Sequence, residues 1–164
     1  MQQLPPLLRC ITRLPQALFL VAAMGCVAHD SPASAAAHGI TEISIEHDCF
    51  GCASSRLLVL RSDGTAVSTQ VGKARLGTQD EVQRGSLSRA DFDALAHLLT
   101  ERGFFQMAAT YQDPALQDGA WMIVRAIRGK AQKEVFARDD AAPPDLRALE
   151  AGIDAAKRRI DFKP

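Results

Sequence analysis

The pattern that most restricts the fold is the spacing of apolar residues late in the chain: Leu146, Leu149, Ile153, Ala156 and Ile160 recur at intervals of three, four, three and four. This is one stripe of an α-helix, and such a stripe must be buried against another layer of structure. Pro144 suits the first turn, where its missing N–H costs no intrahelical hydrogen bond. Lys157, Arg158 and Arg159 fall in the last turns, where cations meet the negative end of the helix dipole, so the cluster reads as a cap. A second stripe, Phe92, Leu95, Ala96 and Leu99, follows Ser88 and Asp91. Those two residues stand as N-cap and N3 of a capping box, with Leu87 placed to staple onto Phe92. Gly103 offers a stop, and Phe104, Phe105 and Met107 give the chain apolar weight for returning to the core.

What these helices cover is set by period-two patterns. Ile40 to His47 places Thr41, Ile43, Ile45 and His47 on one face and Glu42, Ser44 and Glu46 on the other, a half-buried strand. Leu57 to Leu60 and Thr65 to Val71 flank Ser62-Asp63-Gly64, and Trp121 to Ile127 and Ala131 to Ala137 flank Gly129-Lys130; both arrangements predict hairpins. Residues 72 to 87 are polar and irregular, with only Val82 and Leu87 as anchors, and read as a long loop with at most one short edge strand. A second polar loop spans Gln112 to Gly119. The expected architecture is α+β: strand, hairpin, helix, hairpin, helix, forming a five-stranded, mainly antiparallel sheet with both helices on one face and a wetter opposite face.

Residues 1–37 follow other rules. Arg9 and Arg13 precede an apolar run from Ala17 to Ala28, and Ser31-Pro32-Ala33-Ser34-Ala35-Ala36-Ala37 supplies small residues, the order of a secretory leader cleaved after Ala35 or Ala37. The run has twelve residues, short of the ~20 a spanning helix needs. Ala23-Met24-Gly25-Cys26 offers a rival cleavage before Cys26, which would then carry lipid and tether the domain to a membrane surface. The remainder, residues 38–164, has the length of a single domain with a real core. Removing Arg9, Arg13 and Asp30 leaves seventeen bases against eighteen acids. Without a basic excess, nucleic acid is excluded as an expected partner.

The distinctive chemistry lies in His47-Asp48-Cys49-Phe50-Gly51-Cys52, just after the first strand. In an oxidising compartment Cys49 and Cys52 can close a small disulfide ring. The same pair could exchange thiols, although thioredoxin-type sites follow Cys-x-x-Cys with a helix, and a strand is expected here. His47, Cys49 and Cys52 would also supply three metal ligands, one short of a closed zinc site, with Asp48 as a conceivable fourth. Covalent haem attachment, a Gly-x-Ser-x-Gly elbow, a phosphate-cradling glycine loop and His-Glu-x-x-His all lack their motifs. His97 falls at a surface position of its helix, His38 belongs to the start of the mature chain, and Asp113, Asp118, Asp139 and Asp140 read as turn formers.

Ile43-Ser44-Ile45, Cys49-Phe50-Gly51, Cys52, Asp63-Gly64-Thr65, Phe104-Phe105, Tyr111, Asp118, Pro144, Leu146, Leu149 and Ile153-Asp154 together resemble a family of small exported bacterial domains of unknown function. That family carries Cys-Phe-Gly-Thr-Cys-Pro-x-Tyr between its first two strands; here one residue fewer separates the cysteines, and Ala53 with Ser54 or Ser55 replaces Pro and the aromatic. The resemblance implies export and an α+β domain and assigns no reaction. The expected function is a periplasmic or extracellular binding or interaction module, alternatively lipid-anchored in the envelope. No catalytic residue or cofactor is expected, no transmembrane helix follows the leader, and the partner would be an envelope protein or a small ligand. The alternative is a thiol-redox or metal protein acting through Cys49-x-x-Cys52.

Overall fold

A computed structural model describes residues 39–115 and 118–164; the leader, Cys26, both cleavage positions and His38 lie outside them. Among the described residues, seven strands and two α-helices follow in the order β1 (Ile40–Cys49), β2 (Ser54–Arg61), β3 (Thr65–Gly72), β4 (Glu81–Ser86), α1 (Arg89–Glu101), β5 (Thr110–Tyr111), β6 (Ala120–Arg128), β7 (Ala131–Arg138) and α2 (Pro144–Lys157). They form a single mixed sheet of order β4-β3-β2-β1-β6-β7-β5. Every pairing is antiparallel except β5 with β7, which is parallel.

This corrects the expected five-stranded, mainly antiparallel sheet. The α+β class stands, but two further strands extend the edges. β4 lies in the polar stretch: Val82 is 38% exposed, no β4 residue is buried, and the strand pairs with β3 from Thr65↔Ser86 to Gln70↔Glu81. An edge strand held through its backbone needs no apolar alternation; β4 is the short edge strand the sequence allowed for in this stretch but did not count in the sheet. β5 has two residues, paired as Thr110↔Phe136 and Tyr111↔Ala137, too few to carry a periodicity. The backbone of Lys163 also bonds Arg84 in both directions at 2.8 Å, partly capping the β4 edge.

The central strand β1 lies between β2 and β6. Register carries Ile43 and Ile45 across to Leu60 and Leu58 on one side and Ala126 and Val124 on the other, and all six are buried. Both helices cover this face: α1 buries Phe92, Leu95, Ala96 and Leu99, and α2 buries Leu146, Leu149, Ile153 and Ala156. Ser88 caps α1 as expected, its Oγ accepting from the Asp91 N–H at 3.1 Å. Where the helices meet, a Cβ on Gly152 would lie 2.6 Å from Leu98 Cδ2, so a glycine there permits close approach. Arg159 ties the end of α2 to the start of α1 through Asp91, with Nη2–Oδ1 at 2.7 Å.

The opposite face carries ion pairs among aliphatics. Arg61 donates to Glu42 at 2.9 Å, and Arg125 bridges Glu46 at 3.1 Å and Glu134 at 2.6 Å. Burial opposes the charge on Arg125, yet the hydrogen bonds and negative charges of Glu134 and Glu46 raise its pKa above the ordinary guanidinium value.

Candidate functional site

The strand ends gather at one end of the sheet, where the β1–β2 loop, the β3–β4 loop and the segment before β6 lie close together. β1 ends at Cys49 and β2 begins at Ser54, leaving a four-residue turn that Gly51 completes with φ +83°. Cys49 and Cys52 are brought together across it, their Cα atoms 5.3 Å apart and their sulfurs at disulfide distance. Cys52 N–H also donates to Cys49 O at 3.2 Å, and Phe50 N–H to Gly119 O at 3.3 Å.

Polar contacts brace this turn against its neighbour. Asp48 accepts from the Cys49 N–H and from Lys73 Nζ, each at 2.7 Å, and the two charged side chains retain only 15% and 17% of their exposure. Thr78 Oγ1 donates to Ala53 O at 2.8 Å while accepting from Lys73 N–H at 2.7 Å, and Asp80 accepts from Gly72 N–H at 2.8 Å. A Cβ on Gly72 would come within 2.4 Å of Thr78 O, so that crossing requires glycine. The braced loops carry exposed apolar side chains: Phe50 is 75% exposed and Leu76 50%.

His47 turns away from the cysteines. Its register partners Arg56 and Met122 place it on the helix-covered face, and its Nε2 lies 2.8 Å from Glu150 Oε1 on α2. The two side chains are part-buried, at 26% and 33% exposure. His47, Cys49 and Cys52 are therefore not assembled as ligands, and among the described residues no group of three or more His, Cys, Asp or Glu could hold a metal ion. No helix follows Cys52 either; β2 begins two residues later, so the helix dipole that lowers a thiol pKa in thioredoxin-type sites has no counterpart here. His97 lies on the exposed side of α1 beside Glu101, at 3.7 Å. Asp113 acts as a turn former, accepting from Ala115 N–H at 2.8 Å.

Two hollows flank the His47–Glu150 pair. The first, about 130 Å³, is lined by Met122, Ala137, Ala142 and Arg147 beside the pair; Arg147 is engaged there, donating to Ala142 O at 3.0 Å and Asp140 O at 2.7 Å. The second, about 170 Å³, has Ile45 and Leu58 as its floor and Arg56, Asp154 and Lys157 at its rim. The sequence pattern did not single out Glu150, Asp154 or Arg56 as site residues, and it placed Lys157 in a cap. The available signal was modest: 150, 154 and 157 share one helix face, and Arg56 keeps the parity of Leu58 and Leu60.

The arrangement defines a two-layer α+β domain with a seven-stranded mixed sheet, a Cys-pinned apolar loop at one end and a charged cleft beneath α2. Comparison with known protein families and with curated proteins gives no match.

Proposed function

We propose that the chain is an exported, non-catalytic interaction module of the bacterial envelope that engages a protein partner through the end of the sheet bearing Phe50 and Leu76. The observation that carries this reading is Phe50, 75% exposed on a turn closed at Cys49 and Cys52 and braced by Asp48 and Lys73. An aromatic side chain on a pre-ordered loop binds with little further loss of conformational entropy, and such side chains dominate binding energy at protein interfaces. The leader pattern of residues 1–37 supports export, and the resemblance carried by Cys49-Phe50-Gly51 and Cys52 supports the same reading.

The test is capture of partners from envelope extract by the native protein, by Phe50→Ser, and by the Phe50→Ser, Leu76→Ser double variant, each with an unchanged melting midpoint. Proteins retained by the native chain and lost from both variants support the reading. An identical captured set overturns it, and dithiol exchange that disappears with Cys49→Ser, Cys52→Ser would replace it with a redox role.

A further inference from the structure

The charged hollow beneath α2 is separate from the Phe50 surface and carries its own inference. Its floor is apolar, since Ile45 and Leu58 keep 2% and 4% of their exposure. Five ionisable side chains surround that floor: His47 from β1, Arg56 from β2, and Glu150, Asp154 and Lys157 from successive turns of α2. His47 and Glu150 satisfy each other at 2.8 Å. Arg56, Asp154 and Lys157 form no ion pair and no side-chain hydrogen bond among the described residues; Asp154 and Lys157 are part-buried and Arg56 is exposed.

Asp154 and Lys157, part-buried in a concave site, have lost solvation that complementary charges restore, and the exposed Arg56 stands at the rim as a second cation. The unmatched set is two cations and one carboxylate. Its mirror image is a small molecule with two carboxylates and one ammonium. The hollow, at about 170 Å³, lies below the roughly 300 Å³ at which drug-sized sites begin, so the occupant must be compact.

We infer that this hollow binds a free acidic amino acid, an α-amino dicarboxylate of the aspartate or glutamate type. Its carboxylates meet Arg56 and Lys157, its ammonium meets Asp154, and its methylenes rest on Ile45 and Leu58. Arg56 suits the carboxylate because its guanidinium presents parallel donors to both oxygens. The His47–Glu150 pair forms the wall towards the smaller hollow and holds α2 over β1. No bond is made or broken in this role.

The folded chain is titrated with aspartate and glutamate of both hands, followed by amide and side-chain NMR shifts, with succinate, asparagine and lysine as comparison probes. Saturable shifts at Arg56 and Asp154 are expected for the acidic amino acids at millimolar concentration. Succinate, lacking the ammonium, and asparagine, lacking the second carboxylate, should each bind about tenfold more weakly. Arg56→Gln should weaken aspartate about tenfold, while Asp154→Asn should abolish the preference for aspartate over succinate. Both positions reach solvent, so circular dichroism should show these variants folded. Phe50→Ser should bind aspartate like the native chain, which keeps this result independent of the partner surface. Absence of saturable shifts, equal binding of succinate, or tighter binding of lysine overturns the assignment.

Discussion

Under the helices, Phe92, Leu99, Leu149 and Ile153 keep 1% or less of their exposure, whereas at the loop end Phe50 is 75% exposed and Leu76 50%. The helix-covered face is held by apolar burial; the loop end is held by a cysteine pair, a shielded Asp48–Lys73 pair and hydrogen bonds through Thr78 and Asp80. Large apolar residues therefore have two uses in one small domain. In the core they drive folding. At the loop end the shape is set by other means, which leaves the apolar side chains available for contact.

The comparison breaks most directly at Leu149. Its side chain is fully buried beneath α2, and Leu149→Ala should destabilise the fold by about 2–5 kcal/mol through lost transfer energy and the cavity left behind. Chemical denaturation measures this. A shift in midpoint below that range would show that α2 is not held by its stripe.

At the loop end the largest expected effect is covalent. Cys49→Ser, Cys52→Ser should lower stability by about 2 kcal/mol, the loop-closure entropy of so short a ring. The protein should remain folded, because no core residue depends on the turn. The protein without residues 1–37, whose cysteines are Cys49 and Cys52, should show no free thiol, and insulin reduction should show no activity in either form. Loss of folding in the double variant would make the loop end part of the core.

Much of the core was legible because burial leaves a period. The stripe from Leu146 to Ala156, the stripe from Phe92 to Leu99, the Ser88 cap and both hairpins have the form their spacing predicted, whereas α2 ends at Lys157 and the buried Ile160 lies beyond the helix. β4 was allowed for only as a short edge strand and could not be located, because its residues are largely exposed and its pairing is main-chain, and β5 was missed because it is two residues long. The approach of Cys49 to Cys52 was legible from their spacing together with the expected oxidising compartment, while the spacing itself left thiol exchange and metal binding open. The hollow was not: Arg56 and Asp154 are nearly a hundred positions apart in sequence and meet only because α2 crosses β1 and β2.

A smaller effect separates the helices by pH. The side-chain hydrogen bond with Ser88, with the Arg159 guanidinium adding its hydrogen bond and charge, outweighs the opposing effect of burial and holds the Asp91 carboxyl below its ordinary pKa of 3.8. A carboxyl depressed by folding contributes stability above its unfolded pKa and loses that contribution as pH falls through the folded value. Asp91→Asn should therefore be less stable than the native chain at neutral pH, with the gap closing below about pH 4. Added salt should shrink it too, since the pair is at the surface. Melting midpoints against pH measure this, and a gap that widens in acid would contradict the linkage.

The smallest expected change in stability is at Phe50, and it tests the comparison most sharply. A surface residue away from core, cap and buried polar network shifts stability by less than about 0.5 kcal/mol when replaced. Phe50 meets that description: it is 75% exposed, and its structural contacts are made by its backbone, through N–H to Gly119 O. Phe50→Ser should keep the native melting midpoint while reducing exposed apolar surface, so the variant should bind a hydrophobic dye less and retain fewer envelope proteins. If Phe50→Ser instead unfolds the domain at a lower temperature, the phenyl ring is packing against something, and the division between a buried core and an exposed binding end would fail at its defining residue.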